Sequence, residues 1–190
     1  MGALLAELAS VGYPVGSVSE LRTSGVRYRD AVPVLVRWLP RADSSSEKEQ
    51  IVRALSVPWA RSEALGPLIQ EFRAPPVPGD ARQESLRWAI GNALEVLWHD
   101  DRFDELVALA RDPRFGKARE MVVVGLGRSE RPQAGGVLIE LLEDPVVNGH
   151  AVKALAKLRV PQAREGLERM TGDDRAWVRK EAQRALAKLT

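Results

Sequence analysis

The chain has 190 residues, which is enough for a domain with a substantial buried core. Its 28 Lys+Arg and 26 Asp+Glu leave a net charge of +2, so composition does not favour a general polyanion-binding protein. The lack of cysteine excludes disulfides, thiolate zinc sites and thiol nucleophiles; with no basic leader and no apolar run of roughly 18 residues, we expect a cytoplasmic protein without a membrane helix.

The first 30 residues predict a small helical cap. Residues 3–10 favour one helix, and a Gly/Pro turn separates it from a shorter helix that Ser17 opens and Gly25 closes. Because the end of a helical stack must cover the exposed core of its neighbour, we interpret residues 1–30 as an N-terminal cap.

Residues 31–190 repeat a two-helix pattern five times. Each first helix carries a leucine at the same place, and these leucines are Leu35, Leu68, Leu106, Leu138 and Leu167. Their spacings of 33, 38, 32 and 29 residues are typical of a two-helix repeat.

A second amphipathic segment follows each first helix after a short polar turn. The five segments are 47–55, 82–90, 118–126, 147–155 and 178–186. Their fifth, eighth and ninth positions are apolar, which makes one helical stripe. The eighth position is always small, with Gly125 as the extreme case. Since glycine inside a helix costs about 1 kcal/mol relative to alanine, we expect a close approach of neighbouring elements there.

The turns carry aspartates that favour helix caps, at Asp112, Asp144 and Asp173. An arginine opens the second helix in two of the pairs, at Arg119 and Arg179. We predict a structural role for both arginines, in which each reaches a turn aspartate of a neighbouring pair.

Four stretches carry a family resemblance. They are "VPVLVRWL" (32–39), "KAREMVVVGLG" (117–127), "GGVLIELLEDP" (135–145) and "DDRAWVRKEAQRALAKL" (173–189). In these features the sequence resembles the HEAT repeat family, including its short repeats of the phycobilin-lyase type, over about residues 31–190. The resemblance implies an all-α fold: a right-handed superhelical stack of five helix pairs behind the cap, forming a single domain. It also implies that the second helices line a concave, protein-binding face. The loop "RAPPVPGD" (73–80) is interpreted as a tolerated insertion rather than a gate.

Periodicity indicates which residues of the second helices face outward. With positions 5, 8 and 9 buried, positions 3, 4 and 7 and the turn beyond them point away from the core. The candidate partner-binding residues on this face are Trp88, Met121, Val124, His150, Lys153, Lys157, Lys180 and Arg184. From residue 146 onward ten Lys+Arg face five Asp+Glu, which favours an acidic partner protein or peptide. Two points stay open: Trp88 can also pack against the neighbouring pair, and Trp98 can add a second aromatic to the groove.

The sequence offers few residue patterns that are typical of a catalytic, metal or cofactor site. The only histidines, His99 and His150, lie in different pairs, and no nucleophile–base set or phosphate loop stands out. We therefore predict no catalytic residue, metal or cofactor, and a non-enzymatic scaffold. The alternative is nucleic-acid binding, including activity of the alkylpurine DNA glycosylase type, which the family resemblance also allows; a phycobilin lyase is a weaker one. Nucleic-acid binding would require continuous positive charge along the groove.

Overall fold

The structure is a computed structural model that describes residues 1–75 and 80–189. It divides into two compact units, Met1–Leu97 and Trp98–Thr190. Within the described residues there are twelve α-helices and no β-strand, so the predicted all-α class is confirmed. Residues 76–79 of the insertion loop 73–80 lie outside the described residues.

The first unit contains the cap and two helix pairs. Its helices are α1 (Gly2–Ser10), α2 (Val18–Thr23), α3 (Ala31–Trp38), α4 (Ser45–Leu55), α5 (Arg61–Arg73) and α6 (Ala81–Val96). The first helices α1, α3 and α5 pack in succession, and so do the second helices α2, α4 and α6. The predicted cap therefore forms a helix pair of its own, which covers α3 and α4.

The second unit contains three helix pairs. Its helices are α7 (Phe103–Arg111), α8 (Glu120–Leu126), α9 (Gln133–Glu140), α10 (Asn148–Leu158), α11 (Arg164–Met170) and α12 (Ala176–Ala187). The second helices α8, α10 and α12 pack in succession. A 3-10 segment, Pro113–Arg119, precedes α8, which therefore begins two residues later than the sequence predicted.

The predicted register of the second helices is confirmed. The small residues at the eighth position are all buried, and they are Ala54, Ala89, Gly125, Ala154 and Ala185. The fifth position is buried in every pair, and the ninth is buried in every pair except the last, where Leu186 is half-buried. Burial of this stripe between successive helices supplies the hydrophobic stabilisation that a single helix pair lacks.

The small residues make room for different neighbours. An added Cβ at Gly125 would lie 2.5 Å from Cε3 of Trp98, so a tryptophan ring fills this space. Close backbone packing occurs instead at Gly127, where a Cβ would lie 3.0 Å from the Cα of Ala154. Trp98 is only 4% exposed, and the suggestion that it joins a surface groove is wrong.

Asp112 caps the 3-10 segment Pro113–Arg119 as predicted, whereas Asp144 and Asp173 stabilise turns that precede their α-helices. Asp112, Asp144 and Asp173 each accept a bond from the backbone amide two residues later, at 3.0, 2.9 and 2.9 Å. This Asx geometry satisfies an amide that would otherwise lack a partner. The following α-helices begin downstream of these turns.

Arg119 confirms the predicted structural role. Its side chain is 1% exposed, and its Nη2 lies 2.7 Å from Oδ2 of Asp144, the turn aspartate of the next pair. Arg179 differs, because its Nη1 donates to the carbonyl oxygens of Asp173 and Asp174 in its own turn, at 2.8 Å each. The prediction of a neighbouring carboxylate is therefore wrong for Arg179, which belongs to the last pair.

Candidate functional site

The outward stripe of the first unit presents a tryptophan beside charged side chains. Trp88 on α6 is 46% exposed, which resolves the open question about this residue in favour of the surface. On α4, Arg53 forms an ion pair with Glu49 one turn earlier, at 2.6 Å. The other carboxylate oxygen of Glu49 accepts a bond from the hydroxyl of Ser85 on α6, at 3.2 Å. These contacts fix a polar seam between the two second helices.

The outward stripes of the second unit carry the remaining predicted residues. Lys153, Lys157, Lys180 and Arg184 are exposed, whereas Met121, Val124 and His150 are half-buried. Arg184 forms an ion pair with Glu181, at 2.7 Å. The exposed ammonium groups thus come from α10 and α12, and the apolar residues come from α8.

Three of the second helices meet at a half-buried polar cluster formed by Glu120, His150 and Trp177. His150 on α10 lies with its Nε2 3.9 Å from Oε2 of Glu120 on α8. Its ring centroid is 5.3 Å from that of Trp177 on α12, at a tilt of 57°. Within the described residues, the buried Nδ1 of His150 has no hydrogen-bond partner.

Burial shifts the pKa of both titratable groups of this cluster in the direction that favours their neutral forms. Burial, helped by the positive charges of Lys153 and Arg175, holds the pKa of His150 below its ordinary value. Burial also raises the pKa of Glu120, against the opposing effect of Lys117 and Arg175. At a separation of 3.9 Å the two groups therefore form a weak ion pair at most.

Arg175 connects this cluster to the turn before α12. Its guanidinium lies 5.7 Å from the Trp177 ring centroid and 2.8 Å from Oδ2 of Asp173, and it also donates to Oδ1 of Asn148. The Asn148 Oδ1 accepts as well from the backbone amide of Gly149, at 2.7 Å. The exposed indole therefore lies beside a guanidinium group that is itself fixed by hydrogen bonds.

Sequence reasoning missed Trp177, which is 43% exposed. The signal was present, because residue 177 lies three and seven residues before Lys180 and Arg184 and so extends their stripe by one turn. The same oversight produced an error at Gly149, which was expected to face outward and is buried. An added Cβ at Gly149 would lie 2.5 Å from Cη2 of Trp177, so the indole covers this glycine.

Comparison with known proteins identifies the repeat. Residues 103–187, which comprise α7 to α12, match the family model for HEAT repeats, so these helix pairs are similar to HEAT repeats. No curated protein matches the chain significantly.

Solved structures similar to the chain include designed repeat proteins. A designed armadillo repeat protein is 19% identical, has a TM-score of 0.57, and covers 98% of this chain and 92% of its own. Another, "in complex with peptide (KR)4", is 20% identical with a TM-score of 0.60, covering 98% of this chain and 91% of its own. At these identities the similarity shows the fold alone, a helical-repeat fold of the HEAT and armadillo type.

No helix in the described part of the chain meets the requirements of a membrane span. The longest described helix, α6, has 16 residues, and none in the described part of the chain combines enough length with enough hydrophobicity to cross a bilayer.

Proposed function

We propose that the protein is a non-enzymatic scaffold that binds another protein or a peptide through the outward stripes of its second helices. The observation that carries this proposal is the position of the exposed aromatic residues. Trp88 and Trp177 are the exposed tryptophans among the described residues, and both stand on outward stripes of second helices. Tryptophan is a favoured anchor in protein interfaces, where it fills a pocket on the partner.

The surroundings of Trp177 support a binding role. The indole is flanked by Arg175, Asn148 and the half-buried His150, which supply hydrogen-bonding groups next to an apolar ring. An apolar anchor within a polar, charged rim is the usual anatomy of a protein interface. The exposed Lys153 and Lys180 form no ion pair with any described residue, which favours an acidic partner.

The charge pattern favours a protein over a nucleic acid. Carboxylates interrupt the stripes at Glu49, Glu120 and Glu181, and two of these neutralise an arginine on the same helix. A nucleic-acid groove would need positive charge without such interruptions.

A solved structure with a similar fold supports peptide binding as the function of this surface. The designed armadillo repeat protein "in complex with peptide (KR)4" holds a basic peptide. In the second unit Lys153 and Lys180 are exposed on the outward stripes and form no ion pair with any described residue, so we expect a ligand of the opposite sign there.

Affinity purification of the native protein, followed by measured affinities for the recovered partner, tests the proposal. Trp88→Ala tests the first unit, and Trp177→Ala and Lys153→Glu test the second. Loss of a tryptophan anchor worth about 2 kcal/mol should weaken binding by about 30-fold. The charge reversal should mainly slow association and reduce its salt dependence.

Matched controls carry the same kinds of change away from the second helices. Arg164→Glu reverses an exposed charge on the first helix α11, and Val11→Ala trims an apolar residue that is 36% exposed. Controls should bind like the wild type. Recovery of the same partner at the same affinity by all three stripe variants would rule out this surface.

A further inference from the structure

A cavity of about 460 Å³ lies within the first unit. It forms where α2 and α4 end and α6 passes beside them, so Arg22, Arg53 and Asn92 from these helices line it. The segments that follow α2 and α4 complete its wall. Cavities of about 300–1,000 Å³ are the usual size of ligand sites.

The lining of the cavity is strongly positive. It includes Arg22, Arg27 and Arg53, and no Asp or Glu from the described residues. Within the described residues neither Arg22 nor Arg27 forms an ion pair, and Arg53 holds only Glu49 on its own helix. Residues 1–97 contain 11 Lys+Arg and 11 Asp+Glu, so the positive charge is local to the cavity. A recess with one sign of charge concentrates ligands of the opposite sign.

A tryptophan forms part of the cavity wall. Trp59 lines the cavity, and its Nε1 is buried with no acceptor among the described residues. The ring is held edge-to-face against Tyr28, with centroids 5.6 Å apart, and the Arg27 guanidinium lies 5.9 Å from the Trp59 centroid. The hydroxyl of Tyr28 already donates to the Ala54 carbonyl at 2.9 Å. The Trp59 ring therefore lies in the wall of the cavity beside the Arg27 guanidinium, and its indole N–H signal can report on what the cavity binds.

The helix ends at the cavity do not cancel this charge. The end of α4 contributes a partial negative charge of about one half from its unpaired carbonyl groups. Arg22 and Arg27 carry positive charges that no described carboxylate neutralises, and each of the three guanidinium groups offers donors in a planar fork that fits the two oxygens of a carboxylate or phosphate. The balance therefore favours an anion with several acceptor oxygens.

We propose that this cavity binds an oxyanion-bearing side chain of an acidic peptide, with Arg22, Arg27 and Arg53 holding the oxyanion beside the Trp59 ring. The oxyanion is a carboxylate or a phosphate, and the aromatic and aliphatic wall packs against the rest of the side chain. The assignment of the oxyanion to a peptide rests on the proposed scaffold function, whereas the binding of an oxyanion in the cavity does not.

The test is a titration of the ¹⁵N-labelled full chain followed through the indole N–H signals. The sequence has five tryptophans, and Trp59→Phe assigns the signal of Trp59. Three probes are added separately: N-acetyl-glutamate amide, N-acetyl-phosphoserine amide and the neutral N-acetyl-glutamine amide. A short single-stranded oligothymidylate is the fourth probe. The two acidic amino-acid probes should shift the Trp59 signal saturably, and whichever binds more tightly identifies the oxyanion.

Arginine variants locate the binding. Arg22→Gln, Arg27→Gln and Arg53→Gln should each weaken the acidic probe by about tenfold, since each removes a charge-assisted hydrogen bond. Arg29→Gln is the matched control, because Arg29 is exposed, lies two residues from Arg27 and does not line the cavity. The control should leave the affinity unchanged.

Four results would overturn the proposal: no shift of the Trp59 signal with either acidic probe, an equal shift with the glutamine probe, an equal loss in Arg29→Gln, or a response to the oligonucleotide alone. The titration needs no partner protein, so its failure leaves the scaffold function intact. Conversely, the acidic probes could shift the Trp59 signal saturably while the stripe variants bind the partner protein normally. That result would support the oxyanion site and contradict the proposed partner-binding surface.

Discussion

Arg119 offers a sharp test of how the repeats are held together. Its buried guanidinium bonds the carbonyl oxygens of Ala110 at 3.0 Å and Gly116 at 3.2 Å, and it pairs with Asp144 at 2.7 Å. Arg119→Met keeps much of the side-chain volume and removes all three interactions. We expect this variant to lower the free energy of unfolding substantially.

The magnitude follows from what each group does after the change. Removing one partner of a buried ion pair costs about 3–5 kcal/mol. Asp144 is 25% exposed and keeps the bond from the Val146 amide, so it can be rehydrated in part. The Ala110 carbonyl is buried and loses its donor. The variant no longer bears the cost of burying a charged guanidinium, which offsets part of the destabilisation. We therefore expect the free energy of unfolding to fall by about 3 kcal/mol.

Urea unfolding followed by both far-ultraviolet circular dichroism and tryptophan fluorescence measures the loss. Two probes are needed because the two compact units can unfold separately. Arg179→Met is the matched control at the same repeat position, with two carbonyl bonds, no carboxylate and a half-buried side chain. It should cost about 1 kcal/mol. If Arg119→Met is no more destabilising than Arg179→Met, the bridge between pairs is not a stabilising element and the reasoning fails.

The remaining predictions concern two glycines, a cap and a histidine. Gly125→Ala should destabilise by about 2 kcal/mol, because its Cβ would lie 2.5 Å from Trp98 Cε3 and the clash exceeds the helix gain of about 1 kcal/mol. Gly136→Ala meets nothing within 4 Å and should stabilise by about 0.5–1 kcal/mol; thermal unfolding compares the two, and equal midpoints would contradict the clash. Ser44→Ala removes the acceptor for a backbone amide in the first turn of α4 and should cost about 1 kcal/mol in urea unfolding; an unchanged midpoint would assign the cap no weight. Because the pKa of His150 is lowered in the folded state, stability should be constant above the unfolded pKa of about 6.5 and fall as pH drops below it. His150→Gln should remove this slope between about pH 7.5 and about pH 5.5, and a slope that persists would place its origin elsewhere.

The sequence predicted the repeat because its signals are local. Ala54, Gly125 and Ala185 fall at the same position of a helical period, and that period does not depend on what packs against the helix. The outward stripes follow from the same geometry, which is why Trp88 and Lys153 are correctly placed on the surface. The role of these stripes in binding stays a prediction.

Errors arose where a neighbouring element decides the environment. Gly149 lies on an outward position, and Trp177 from the next pair covers it. The sequence suggested that Trp98 could lie on the surface. In the structure its ring fills the space beside Gly125, which lies 27 residues later in the chain. Arg119 and Arg179 occupy the same repeat position, yet Arg119 pairs with the turn of the next helix pair and Arg179 bonds its own turn.

The amino-acid pattern alone thus determined the helix pairs, their register and the outward residues, because hydrophobic periodicity acts within a single helix. Tertiary packing alone decided the half-buried cluster of Glu120, His150 and Trp177 and the arginine-lined cavity. Each site joins side chains from three helices that lie about thirty residues apart in the chain. This separation is the length of a repeat, so the periodicity within a single helix does not reveal it. The burial, distances and shifted pKa values of these sites come from the stacking of one pair on the next, which has no counterpart in any single stretch of sequence.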